Sequence, residues 1–173
     1  MARSDVLFRQ EFYKANSKRG KPTRIVARLW KALEEMGYRI NKYGHHMVDD
    51  DTEYYKLYDD LIVPQYSTIR KGNNFKEGAM VTFRIWTRKP RESYQFFISP
   101  DDIKLHATLP INLENHTVTL NGQVLLPFWM ADMAKMEGYS TVEEFWDWYM
   151  TPIKGQLLIF HPEKAEQYKK MFG

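Results

Sequence analysis

With 173 residues, 43% hydrophobic and 15% aromatic, the chain has the composition of one folded domain with room for an appendage, which excludes a disordered segment. It has no cysteine, which excludes disulfides, thiolate metal sites and cysteine nucleophiles, and no apolar run long enough to span a membrane. The net charge of +3 is unevenly spread: residues 1–44 carry 11 Lys/Arg against 4 Asp/Glu, whereas residues 45–173 carry 14 against 18.

Met1-Ala2-Arg3-Ser4-Asp5 lacks the apolar core of a signal peptide, so a soluble cytoplasmic protein is expected. Residues 4–15 set Val6, Leu7, Phe8, Phe12 and Tyr13 among polar residues in a helical pattern, and residues 16–22 read as a basic turn. Thr23 is a candidate N-cap for a helix with Ile25, Leu29, Leu33 and Met36 inward and Gly37 as its stop. Residues 1–53 are therefore expected to form a basic helical extension. Its Lys18, Arg19, Lys21, Arg24 and Arg28 form an arm suited to phosphate or to an acidic partner. Positive charge near a helix N-terminus opposes the dipole, a cost that a bound phosphate would offset; a plain solvated basic helix fits the same residues.

Residues 38–51 look extended and end in a polar loop. His45, His46, Asp49, Asp50 and Asp51 are metal-ligand types. Adjacent residues diverge on a strand, however, and no further histidine stands at helical spacing. A solvated acidic loop is the expectation, with no metal and no cofactor. Residues 53–63 are amphipathic, with Tyr54, Leu57, Tyr58, Leu61 and Ile62 inward, and Pro64 ends them. A second domain is expected over 54–173.

Ser67-Thr68-Ile69-Arg70 is the stretch most suggestive of a site. On a strand, Thr68 and Arg70 share one face and Ile69 takes the other. That sets a hydroxyl beside a permanent cation in front of the polar turn 71–78. Two readings fit: a ligand, such as a nucleobase, over Thr68 and Arg70, or an edge threonine and a surface-paired arginine. Residues 81–87 alternate, with Val81, Phe83 and Ile85 on one face and Thr82, Arg84 and Trp86 on the other. Arg84, Trp86, Arg88, Lys89 and Arg91 interleave cations with an aromatic, as base stacking plus phosphate attraction requires. A tryptophan packed on a helix with arginines at its rim fits equally.

Residues 94–98 read as a strand, and 99–115 are poorly patterned, with 103–109 extended at most. Residues 116–120 and 123–126, joined by Asn121-Gly122, form the clearest hairpin. Pro127 opens a helix over 128–136 that Gly138 breaks. Ser140 with Glu143 reads as a capping box for a helix ending near Thr151-Pro152. Residues 156–160 are a buried-type strand and 162–171 a terminal helix. Glu137 falls at the negative pole of the helix before it, so its proton affinity should rise if it is also buried. It is a candidate acid/base or a partner for the exocyclic amine of a base; a surface glutamate before a glycine stop is the plainer reading.

This order of elements resembles the ASCH domain of the PUA-like superfamily. The likeness rests on the helix before Thr-Ile-Arg, the polar turn, Phe-Lys-x-Gly, the strands, Glu-Gly-Tyr-Ser-Thr-Val-Glu-Glu-Phe and the final apolar strand. It covers about residues 54–161, and the longer form, with an inserted hairpin, is most like ASCH domains of phages and prophages. The resemblance implies an α+β fold: a small mixed β-barrel flanked by helices, with a cleft for RNA or a nucleobase. It also implies an N4-acetylcytidine amidohydrolase set of lysine, threonine, arginine and glutamate. By position Thr68, Arg70 and Glu137 match; the lysine is replaced by Gln65. Gln65 cannot take the proton that a threonine nucleophile must lose, and Lys71 should face the other side of the strand.

The expected function is thus binding of RNA, another nucleic acid or a modified nucleoside. Gln65, Thr68, Arg70, Lys71, Arg84, Trp86, Arg88 and Glu137 form the base-binding surface, and the basic arm holds phosphate. One alternative is an amidohydrolase or ribonuclease with Thr68, Arg70 and Glu137 catalytic. The other is a phage-encoded module that engages a host protein.

Overall fold

The computed structural model describes residues 4–9, 25–38, 62–86, 95–97 and 103–173. By contacts the chain divides into two units, one of residues 1–64 with 80–103, the other of residues 65–79 with 104–173. The expected boundary at 53/54 lies outside the described residues, as do residues 39–51 with His45, His46 and Asp49–Asp51. The fold is mixed α+β, as expected. No closed barrel forms among the described strands.

In the first unit, β1 (Ser4–Arg9) pairs in parallel with β3 (Met80–Trp86), which pairs antiparallel with β4 (Gln95–Phe97). β1 corrects the expected helix over 4–15. A short apolar run such as Val6-Leu7-Phe8 fits either period; Val6 and Phe8, two apart, are both buried. Residues 10–15 lie outside the described ones.

Helix α1 (Ile25–Glu35) follows the expected pattern and stops at Gly37, whose φ of 85° suits glycine. Tyr38 N–H donates to the Leu33 carbonyl and Gly37 N–H to that of Glu34, the paired bonds of a Schellman end. Burial runs nearly round this helix: Ala27, Arg28, Leu29, Trp30, Ala32 and Leu33 are all enclosed. Arg28, expected in the phosphate-contacting arm, is 8% exposed. Lys18, Arg19, Lys21 and Arg24 lie outside the described residues.

The second unit is a five-stranded antiparallel sheet in the order β2-β9-β6-β7-β8. Its strands are β2 (Ser67–Lys71), β6 (Ala107–Glu114), β7 (Thr117–Leu120), β8 (Gln123–Val124) and β9 (Ile153–Ile159). The two-residue β5 (Ile103–Lys104) precedes β6. Helices α2 (Pro127–Met136), α3 (Val142–Trp148) and α4 (Pro162–Phe172) complete the unit. Ile69, Leu109, Ile111, Leu157 and Ile159 pack from the sheet onto Met133, Met136, Phe145 and Tyr168 of the helices. Asp132 of α2 accepts from Lys164 Nζ and the Tyr168 hydroxyl of α4, both at 2.8 Å. No helix among the described residues is long and apolar enough to cross a membrane.

β6 is the main element that patterning understated. It alternates buried and solvent-facing residues along its length, with Ala107, Leu109, Ile111 and Leu113 inward. Pro110 argues against an interior strand because it has no N–H to donate. It is tolerated because its backbone faces the end of β7, where Asn121 N–H donates to the Pro110 carbonyl at 2.7 Å and the ladder stops. Asn121-Gly122 turns as expected, with φ of 47° and 81°. The cap of α3 is one residue later than expected. Thr141 accepts from Glu144 N–H at 3.2 Å, and the Glu144 carboxylate accepts from Ser140 N–H at 3.3 Å. Ser140-x-x-Glu143 and Thr141-x-x-Glu144 are equivalent as patterns, so only the geometry separates them.

Candidate functional site

β2 is an edge strand, and its register with β9 sets which side chains point where. Ile69 lies opposite Leu157, and both belong to the core; Thr68 lies opposite Leu158 and Arg70 opposite Gln156. Thr68 and Arg70 therefore share the face away from Ile69, as the alternation predicts. Thr68 is buried and Arg70 half-buried. Gly155 allows the close approach here, since a Cβ on it would overlap the Arg70 carbonyl oxygen.

Helix α2 ends beside the start of β2. Tyr66 N–H donates to the Met136 carbonyl at 2.8 Å, and Gly138, at φ 88°, closes the helix with bonds to Lys135 while Tyr139 N–H reaches Ala134. This brings Glu137, the C-cap residue, against the open edge of β2 with 1% of its surface exposed. One carboxylate oxygen accepts a short bond from Ser67 Oγ, and the other accepts from the Tyr149 hydroxyl at 2.8 Å. The Ile69 backbone N–H also bonds the group.

Burial pushes the Glu137 carboxyl up to about 7, against the opposing pull of the Ser67 and Tyr149 hydroxyls, the Arg70 charge and the Ile69 N–H. The direction is the one expected for a buried carboxyl at a helix C-terminus, and desolvation is the main cause. Burial also lowers the Arg70 guanidinium from its usual value, opposed by Tyr149, Glu137 and Tyr139. Arginine stays charged throughout the working range, so Arg70 is a fixed cation in this field. The Tyr149 hydroxyl is raised well above its ordinary value by burial first and by Glu137 second, so it remains an O–H donor.

Of the residues expected at the site, Glu137 and Arg70 are within electrostatic reach of each other. The hydroxyl that meets Glu137 belongs to Ser67, not Thr68. Gln65, in the lysine position, is buried; its Nε2 donates to the Ser67 carbonyl at 3.0 Å, and its Oε1 is buried without a hydrogen-bond partner. Lys71 is exposed at the far end of β2. Arg84 and Trp86 are on β3 of the other unit, with their side chains outside the described residues, and Arg88 lies outside them altogether. Among the described residues no group of three or more histidine, aspartate or glutamate side chains could hold a metal ion.

Ser67 and Tyr149 are the participants that sequence reading overlooked. Ser67 leaves a small polar residue two before Ile69, on the core side of a strand, which is a signal once the strand is placed. Tyr149 follows Trp148 at a helix end and looks like one more core aromatic. The chemistry available is that of a buried carboxyl group titrating near neutrality, with two hydroxyls on it and a guanidinium nearby. The chain matches no protein-family model, no curated protein and no solved structure.

Proposed function

We propose that the protein is a nucleobase-binding module of the ASCH, PUA-like kind that takes RNA, another nucleic acid or a modified nucleoside. The observation that carries this reading is Glu137: a carboxyl group out of solvent, poised near neutral pH, ringed by donors and in the field of Arg70. Such a group can accept from the exocyclic amine of a base when ionised and donate to a ring nitrogen when protonated. The Tyr149 hydroxyl is the donor supplied by a half-buried side chain, so a base amine would take its place on Glu137. Arg70 would meet a base carbonyl or a phosphate, and the Gln65 Oε1 adds an unused acceptor. Lys71, exposed at the end of β2, would add a phosphate contact, and the ligand would be a cytoplasmic RNA or nucleoside.

Binding is tested by fluorescence anisotropy with single-stranded RNA, duplex RNA and DNA across a salt series. The expected affinity falls steeply with salt, and Arg70→Ala lowers it further. Absent binding to all of them, or binding indifferent to salt, refutes the reading.

One observation favours a second reading, hydrolysis. Ser67 Oγ donates to Glu137, so a hydroxyl nucleophile is in contact with a base, which Thr68 with Gln65 does not provide. Turnover of N4-acetylcytidine or labelled RNA that is lost in both Ser67→Ala and Glu137→Gln supports it. No turnover of either substrate by the unaltered protein leaves binding as the function.

A further inference from the structure

A hollow of about 160 Å³ lies between the β6–β7 turn and the loop from α3 to β9. Its walls include Glu114 and His116 of the turn, Trp146 of α3, and Tyr149, Met150 and Pro152 of the loop. The turn has an unusual composition. Asn115 and His116 have φ of 50° and 55°, the two left-handed positions of a tight hairpin whose second residue is ordinarily glycine. The hairpin at Asn121-Gly122 has that glycine. At Asn115-His116 a histidine accepts the less comfortable backbone, and its ring lies flat on Trp146, with 4.9 Å between centroids and 3° between planes. The exposed imidazole thus already uses the indole as a platform for a flat nitrogen heterocycle.

The charge around the hollow narrows its ligand. Glu114 is the formally charged wall residue, and no lysine or arginine lines the hollow among the described residues. That disfavours a phosphate or any other anion and calls for a ligand that brings a hydrogen-bond donor to Glu114. The volume is well under the roughly 300–1,000 Å³ of pockets that take drug-sized molecules, which limits the occupant to one small ring system.

We propose that this hollow is a binding subsite for a flat heterocycle bearing an exocyclic amine, of the cytosine or adenine type, packed against the His116–Trp146 pair and donating its amine to Glu114. Stacking on aromatic faces accepts any base, whereas a carboxylate acceptor selects those with an amine. The subsite goes beyond the Glu137 reading and does not require it: Glu137 is not among its walls, and Tyr149, which is, keeps its hydroxyl on Glu137 when the hollow is filled.

The test is a titration of the full chain with cytidine, adenosine and uridine, followed by NMR at the Trp146 indole and the His116 ring. Cytidine and adenosine should shift both signals saturably, with uridine at least about tenfold weaker. Glu114→Gln should level cytidine and uridine. His116→Gly, which suits the backbone of the turn, should weaken cytidine at least about fivefold. The subsite is overturned if neither amine-bearing nucleoside moves these signals, if uridine moves them equally, or if Glu114→Gln keeps the preference. Shifts at the amides of residues 66–69, 137 and 149 that leave the His116 ring unmoved overturn the subsite and support the Glu137 reading. Shifts at His116 and Trp146 alone do the reverse.

Discussion

Glu137→Gln is the most informative single change, because it keeps the shape of the side chain and removes only its ability to ionise. The folded protein holds this carboxyl group at about 7, against an ordinary value of 4.5. Each tenfold change in proton affinity is worth about 1.4 kcal/mol, so the ionised form costs the fold about 3 kcal/mol. The sign follows from which state holds the proton. Below pH 4.5 folded and unfolded chains are both protonated, and the group costs nothing. Between 4.5 and about 7 the unfolded chain releases its proton first, so stability falls as pH rises; above about 7 the whole cost is incurred. Glutamine escapes that cost, since its amide can accept from Tyr149 while the Ser67 hydroxyl turns to accept from the amide nitrogen. Urea unfolding followed by tryptophan fluorescence should therefore show variant and parent nearly matched at about pH 4, with the variant ahead by up to about 3 kcal/mol at about pH 8. A difference that stays flat with pH, or a parent that gains on the variant as pH rises, would mean that the donors and Arg70 outweigh desolvation. Either result would refute both the poised carboxyl group and the chemistry built on it.

Tyr149→Phe removes one of the donors that hold the Glu137 carboxyl down, so its titration should move above about 7, which a carbon-13 carboxyl NMR titration measures directly. A titration that stays put would mean that Tyr149 has no part in tuning the group. Gly155→Ala forces a methyl group into the Arg70 carbonyl and should lower stability by about 1–3 kcal/mol, read as a shift of the denaturant midpoint. Gln156→Ala deprives the turn after β2 of its anchor, because the Gln156 amide bonds both the N–H and the carbonyl of Phe75, at 3.0 and 2.9 Å. Trypsin should then cut faster at Lys71 or Lys76, with a stability loss of about 1–3 kcal/mol; an unchanged cleavage rate would show that the turn is held by other contacts.

What could be read along the chain was local, and what could not depended on a partner far away. The stops at Gly37 and Gly138 were legible because a left-handed residue after a helical pattern has one economical solution, and both glycines have positive φ. The division of Thr68 and Arg70 from Ile69 was legible because side chains on a strand alternate. β1 was misread because Val6-Leu7-Phe8 satisfies two periods, and the deciding factor is pairing with Val81–Trp86, more than seventy residues on. β6 was understated because Pro110 breaks the local rule for strands, and only the end of β7 explains why it is harmless. The candidate site shows the same limit. Its composition of a hydroxyl, an arginine and a glutamate was legible, but the choice of Ser67 over Thr68 was not. Thr68 shares a face with Arg70, and on sequence grounds that makes it the natural partner. Glu137, however, approaches along the open edge of β2 from the end of α2, and the hydroxyl within its reach is the one on the core-facing side. A carboxyl group held there is enclosed by the same packing that closes the core. The burial that raises its proton affinity is therefore a consequence of how α2 docks on β2.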